Sequence, residues 1–304
     1  MPSSELYKDL RPLLFSIAYE MLGVVGDAED IAQEAFLRLE RAEQEGIRIE
    51  SPRAYLTTVT TRLAIDELRS ARVRREGYFG PWLPEPVITD PASSPAQTAE
   101  TADLLSLSFL VLLETLSPIE RAVFLLHEVF DYRCREISDI VDKSEANCRQ
   151  ILVRARKRID EGKPRFETDR VRQKELVKTF LDALEHGDID RLMTLLAPDV
   201  ILIGDGGGKA QALPKPICGR DRVLRLLMMF ARQGAALECR IVQSTINTQP
   251  GTLNLDSEGK LINVFSFEIL DGKIQAIRSI INPDKLQHLG YQLSDIGRKQ
   301  EQAT

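Results

Sequence analysis

From Arg149 to Arg158 the sequence carries Arg149, Gln150, Arg154, Arg156, Lys157 and Arg158, and no acidic residue. Cys148, Ile151, Leu152, Ala155 and Ile159 recur at helical spacing, so they share one face and leave the basic set on the other. Amide and guanidinium groups near the start of such a helix, with Asn147 just before them, can read base edges in a major groove. The later cations can hold phosphates. Ahead of this helix, Arg135–Val141 turns Ile137, Ile140 and Val141 inward. Asp142-Lys143-Ser144 then makes a turn with Ser144 as N-cap. Ser117-Pro118-Ile119-Glu120 starts an earlier helix with a capping box and proline at its first position. The sum is a helix-turn-helix. That geometry is common in helical proteins, and it is the unbroken basic run that points to duplex DNA.

A second basic cluster closes the helix that opens at Ser51-Pro52, whose apolar side is Tyr55, Leu56, Val59, Leu63 and Ala64. One or two cations at a helix C-terminus follow from the backbone dipole. Arg69, Arg72, Arg74 and Arg75 crowd into seven residues, which suggests phosphate contact. Tyr55 and Tyr78 are the rings near this arm that could stack on bases. Asp27–Leu39 is its electrostatic opposite. Ile31, Ala35 and Leu39 form the apolar stripe with Phe36 beside it, and Asp27, Glu29, Asp30, Gln33 and Glu34 fill the other side. Such a face is either solvated or a dock for a basic partner helix.

Catalytic chemistry has less support. Asp199, Asp205 and Glu268 are the carboxylates to weigh, but no spacing makes them converge. Gly204–Lys209 fails as a phosphate loop, because the lysine comes one place early and Ala210 replaces the hydroxyl residue. A turn or docking loop remains. Cys134, Cys148, Cys218 and Cys239 lie far apart and read as reduced thiols. His127, His186 and His288 are scattered too, so no metal or other cofactor is expected.

The formal net charge of −6 argues against a protein that grips DNA tightly by itself. It permits one whose partner supplies part of the hold. Apolar residues at 43% supply cores for two or three domains in 304 residues. The N-terminus shows no basic start followed by an apolar core, and no apolar run would span a bilayer, so a cytoplasmic protein is expected.

The chain reads as helices over 1–76, a Pro-, Gly-, Ser- and Thr-rich linker over 77–102 and helices again over 103–161. A mixed domain over 168–290 and a polar tail over 291–304 follow. In the mixed domain Asp169–His186 is predicted helical and closed by Gly187, and a short helix stops at Pro198. Val200–Ile203 is a strand, and Asp221–Gln233 is a helix ended by Gly234. Leu261–Leu270, the turn Asp271-Gly272 and Lys273–Ile281 form a hairpin. Its strands are apolar on both faces, one to pack on helices and the other to line a cavity.

Taken together these residues resemble extracytoplasmic-function sigma factors. Asp27–Leu39 resembles the polymerase-binding helix of region 2, and Ser51–Arg75, with Ala64-Ile65-Asp66-Glu67-Leu68-Arg69, its −10 element reader. Ser117–Ile159, with Arg154-Ala155-Arg156-Lys157-Arg158, resembles region 4, the −35 reader. Trp82-Leu83-Pro84-Glu85-Pro86, Asp205-Gly206-Gly207-Gly208-Lys209 and Asn282-Pro283-Asp284-Lys285-Leu286 resemble motifs of the subgroup with a SnoaL-like C-terminal domain.

The resemblance implies two all-α sigma domains followed by an α+β cone of the SnoaL and ketosteroid-isomerase type. It implies that Asp27, Asp30, Gln33 and Glu34 face the polymerase β′ coiled coil. Tyr55, Thr60, Thr61 and Arg62 would lie by the melted −10 strand, with Arg69, Arg72, Arg74 and Arg75 on its phosphates. Asn147, Arg149, Gln150, Arg154 and Arg156 would touch the −35 duplex. The implied partners are core polymerase, through β′ and the β flap, and promoter DNA, with no membrane. The cone leaves room for a small-molecule ligand. Arg62 stands where many relatives carry asparagine, and Gln150-Ile151 where they carry Ser-Arg. Two other readings stay open: a helix-turn-helix regulator that works without polymerase, and a SnoaL-like enzyme with a DNA-binding appendage.

Overall fold

The computed structural model describes residues 4–89, 106–162 and 169–290. The chain divides into two compact units. One joins Met1–Gly77 to Leu110–Lys163, and the other joins Tyr78–Phe109 to Pro164–Thr304.

In the first unit, α1 (Ser4–Leu22), α2 (Val25–Gln44) and α3 (Pro52–Glu76) bury Leu14, Ala32, Ala35, Phe36, Leu39 and Leu56 together. Ser51 caps α3 as expected, its hydroxyl accepting from the Ala54 amide at 3.3 Å. The second half of α4 (Leu107–Leu113) leads to α5 (Pro118–Glu128), α6 (Cys134–Val141) and α7 (Glu145–Gly162). The Ser117 capping box is complete. Asp142 turns the chain in the left-handed region at φ 53°, and the Ser144 hydroxyl accepts from the Asn147 amide. The predicted stripe from Ile137 through Ile159 is buried throughout. The sequence pattern separated 1–76 from 103–161. In the structure α3 packs on α5 and α6, and α1 packs on α5, so both belong to one core.

The second unit contains α8 (Arg170–His186), α9 (Ile189–Leu195), β1 (Leu196–Asp205), β2 (Ile217–Cys218) and α10 (Arg220–Ala236). It continues with β3 (Arg240–Ile246), β4 (Gln249–Leu255), β5 (Leu261–Leu270), β6 (Lys273–Ile280) and a helical segment at 283–290. The sheet order is β2-β1-β6-β5-β4-β3, with β1 parallel to β6 and the remaining pairs antiparallel. Asp169 caps α8, and Gly187 closes it at φ 69°. The β5–β6 hairpin turns at Asp271-Gly272 as predicted. Pro198 lies inside β1, where the ladder to β6 skips from Leu196 to Ile201. α10 runs past Gly234 to Ala236. The tail 291–304, and 90–102 of the predicted linker, lie outside the described residues.

Val177, Phe180, Val223 and Leu227 from the helices pack on Leu202, Phe267, Ile269 and Ile277 of the sheet. Phe180 and Phe267 meet edge to face, with centroids 5.7 Å apart. Strand alternation therefore turns Ser266 and Glu268 of β5, and their cross-strand neighbours Arg278 and Ala276, to the face away from the helices.

Candidate nucleic-acid interface and linker clasp

The outer face of α7 keeps its basic set at the surface. Arg149, Gln150, Arg154, Arg156, Lys157 and Arg158 are exposed, and Asn147 is half-buried. Some of these cations brace the fold. Arg156 reaches Glu128 at 2.6 and 2.9 Å, Arg158 reaches Glu120 at 2.6 Å, and Arg149 pairs with Glu145 one turn back at 2.5 Å. The first two pairs run from α7 to α5 and fix the roll of the recognition helix. Gln150, Arg154 and Lys157 remain directed outward from the same face.

α3 departs from expectation. Thr60 and Thr61, expected beside a melted strand, are fully buried, and their hydroxyls find no hydrogen-bond partner. Thr61 follows by one turn Thr57, whose hydroxyl meets the Tyr132 hydroxyl at 3.0 Å. Arg62 donates to the carbonyls of Ile140 and Asp139 at 2.8 and 2.9 Å, where α6 ends with unpaired acceptors. Tyr55 is half-buried, its hydroxyl 3.5 Å from the Arg38 carbonyl. In this conformation Arg62 is held at the end of α6, Thr57 meets Tyr132 just before that helix, and Tyr55 lies by α2.

The arginines that end α3 divide in two. Arg69 and Arg74 are exposed and pair with Asp66 and Glu67 of the same helix, at 2.8 and 2.5 Å. Arg72 and Arg75 turn inward. Arg75 donates to the Glu114 carboxylate at 2.6 Å and to the Leu22 carbonyl at 2.7 Å. Arg72 donates to the carbonyls of Leu116 and Glu114. The other Glu114 oxygen accepts from Arg121 at 2.6 Å. Arg121 is 1% exposed and also caps the carbonyls of Met21 at 2.6 Å and Leu113 at 3.0 Å. Burial works against the Glu114 charge, yet Arg121 and Arg75 hold its carboxyl below the usual range. Sequence reasoning missed both Glu114 and Arg121. A buried arginine has no periodic signature, and its partner lies outside the helix that carries Arg75.

On α2, Asp30 and Gln33 are exposed, while Asp27 and Glu34 are half-buried. Glu34 pairs with Arg38 at 2.8 Å, and that hydrogen bond lowers its carboxyl. Burial first, then the Glu67 charge, pushes Asp27 up. The four polar residues thus lie on one side of the helix, opposite buried Ala28, Ala32, Ala35 and Leu39.

In the second unit three motifs meet at one carboxylate. Asp205, fully buried, accepts from the Tyr78 hydroxyl at 2.5 Å, the Leu83 amide at 2.8 Å and the Lys285 ammonium at 2.7 Å. Lys285 also donates to the Leu83 carbonyl and lies 4.4 Å from the Trp82 ring centre and 4.9 Å from that of Tyr78. The Asn282 amide group donates to the Tyr78 hydroxyl at 2.9 Å, and Lys209 pairs with Asp284. Burial, then the bond to Asp205, drives the Tyr78 hydroxyl far above its ordinary pKa. Tyr78 is therefore occupied here rather than free to stack on a base. The glycines fit this crowding. A Cβ on Gly206 would lie 2.5 Å from the Ala210 carbonyl, and one on Gly207, at φ 58°, would collide with the Asn282 side chain. Beyond the cluster, Pro86 accepts from His288 at 2.8 Å, and Val87 exchanges hydrogen bonds with Asn247.

The catalytic carboxylates do not converge. Asp199 is exposed. Asp205 serves the clasp, and Glu268, on the face away from the helices, binds Arg278 at 2.9 Å and the Ser108 hydroxyl at 2.8 Å. The strand face expected to line a cavity thus carries the Arg278–Glu268 ion pair and meets Ser108 of α4.

Residues 6–74 match the family described as Sigma-70 region 2, and residues 106–159 match Sigma-70, region 4. The ECF RNA polymerase sigma factor SigJ of Mycobacterium tuberculosis is 36% identical over 288 residues, which cover 92% of this chain and 91% of the relative. The chain belongs to the ECF sigma factors. A second relative, the probable ECF sigma factor SigI of the same species, is 30% identical over 96% of this chain and 97% of its own length. The crystal structure of SigJ superposes with a TM-score of 0.73 at 33% identity, over 93% of this ECF sigma factor and 98% of that chain. The architecture is that of two helical sigma regions followed by an α+β, SnoaL-like domain. This ECF sigma factor serves promoter recognition and transcription initiation with core RNA polymerase, and is not an enzyme. No helix among the described residues is long and apolar enough to cross a membrane.

Proposed function

We propose that this sigma factor docks core polymerase through Asp27, Asp30, Gln33 and Glu34 against the basic β′ coiled coil, with region 4 on the β flap. The outer face of α7, with Asn147, Arg149, Gln150, Arg154 and Arg156, meets the −35 duplex. α3, from Tyr55 to Arg75, meets the −10 strand once α6 has moved off it. The C-terminal domain modulates these steps in cis by holding the linker. The observation that carries this last point is the clasp, in which Asp205 accepts from linker atoms of Tyr78 and Leu83 and from Lys285 of its own domain. A linker tied in this way limits how far regions 2 and 4 can separate.

Promoter-specific transcription in vitro tests the reading, with core polymerase and either the full chain or its Asp205→Asn variant. Initiation that requires this protein, and that changes when the clasp is loosened, is the expected result. Equal output from both forms would reject control through the clasp. Duplex binding without any initiation would reject the docking assignments.

A further inference from the structure

Arg75 and Arg121 share the single carboxylate of Glu114, and Arg72 donates beside it to the backbone carbonyls of Glu114 and Leu116. A nearby second carboxyl, Glu20 on α1, does not balance them at neutral pH, because burial pushes its pKa up to about 8. Two guanidinium groups therefore share the one Glu114 carboxylate, and a third is held beside it by backbone carbonyls of the same segment. Arg121 is fixed by two buried backbone acceptors, whereas the Glu114 side chain is 25% exposed and that of Arg75 is 13% exposed. Guanidinium groups bind carboxylate and phosphate with the same two-pronged geometry. Asp66 and Glu67, which pair with Arg69 and Arg74, sit on α3 itself and would travel with it. Glu114 follows α4 and enters the site from the half of the unit that contains region 4.

We infer that Arg72 and Arg75 form a binding site for a phosphodiester of single-stranded promoter DNA, and that Glu114 fills this site in the free chain as an internal substitute. DNA backbone and region 4 then compete for the same two guanidinium groups. The chain weakens its own hold on DNA until core polymerase draws the two regions apart. The inference rests on the assignment of the end of α3 to promoter DNA and adds to it the residue that blocks the site.

The test is binding of the full chain to labelled oligodeoxythymidylate, followed by fluorescence anisotropy across a salt series. This probe carries the phosphodiester without a promoter sequence. Glu114→Gln should bind on the order of tenfold more tightly than the parent. Its log–log salt dependence should steepen by about 0.7 for each phosphate gained. Adding Arg72→Ala and Arg75→Ala to Glu114→Gln should abolish the gain. Glu114→Ala provides a second reading, and circular dichroism melting confirms that each variant is folded. A folded Glu114→Gln that binds no more tightly overturns the inference. So does a gain that survives loss of both arginines. Transcription with core polymerase and the parent chain separates this outcome from failure of the sigma assignments, because that assay does not depend on the oligonucleotide.

Discussion

The two buried knots of this molecule, Arg75–Glu114–Arg121 and Tyr78–Asp205–Lys285, look alike and differ in balance. Each draws together segments far apart in sequence around one carboxylate. Asp205 is fully buried and accepts three donors, one of them charged, so charge and hydrogen bonds are matched inside the fold. Glu114 is partly exposed, and its one carboxylate is shared by two guanidinium groups. A buried ion pair contributes little net stability but is costly to break from one side, since it strands a charge. A matched knot is therefore a fixture, and a knot with surplus charge can exchange its anion.

Four experiments would sharpen or break this contrast. Asp205→Ala should have the largest effect, about 3–5 kcal/mol lost from the C-terminal unit, because Lys285 is left buried without its anion. Trp82, the only tryptophan, stands over Lys285 and makes denaturant unfolding readable by its emission. A loss below about 1 kcal/mol would remove the fixture from the comparison.

Glu20→Gln should come next, through pH. The folded pKa of Glu20, about 8, lies above the ordinary value of 4.5, so the native state keeps a proton that the unfolded chain releases. Stability is then fully present below about 4.5 and declines as pH rises towards 8. The decline is on the order of 1 kcal/mol per pH unit. Glu20→Gln should flatten this slope, and matching slopes in parent and variant would show that the carboxyl is not held neutral.

Glu114→Ala should cost about 1–3 kcal/mol in the helical unit, less than the loss at Asp205, since water can partly replace its carboxylate. A cost equal to or above that of Asp205→Ala would erase the distinction between the two knots. The smallest effect on stability is expected for Asp30→Lys with Glu34→Lys, within about 0.5 kcal/mol at the surface. The same pair should abolish capture by core polymerase in a pull-down, and retained capture would move the docking face elsewhere.

The helices were legible because local chemistry writes them. Ser51, Ser117 and Ser144 cap helices where the sequence indicates. The buried stripe of α7 matches its periodicity. β3 and β4 were not legible. β4 is buried along its whole length, so it shows no alternation, and it carries Pro250 and Gly251. Its hairpin turns through Asn247 and Thr248, both at positive φ, without the glycine that usually marks such a turn. The site was legible by type and not by contact. The arginines of α3, the glycine loop and the Asn282–Leu286 motif all stood out. That Arg72 and Arg75 face inward, and that the motifs share Asp205, depends on segments up to about two hundred residues apart in sequence, as with Tyr78 and Asn282.

The tightness around Gly207 reaches beyond this one chain. Its missing side chain is the space that Asn282 and the Tyr78 hydroxyl occupy. Among descendants of a common ancestor, a larger residue at this position could persist only alongside a smaller one at 78 or 282. The three positions should drift as a set, so that substitutions harmless in one lineage become destabilising when transplanted singly into another.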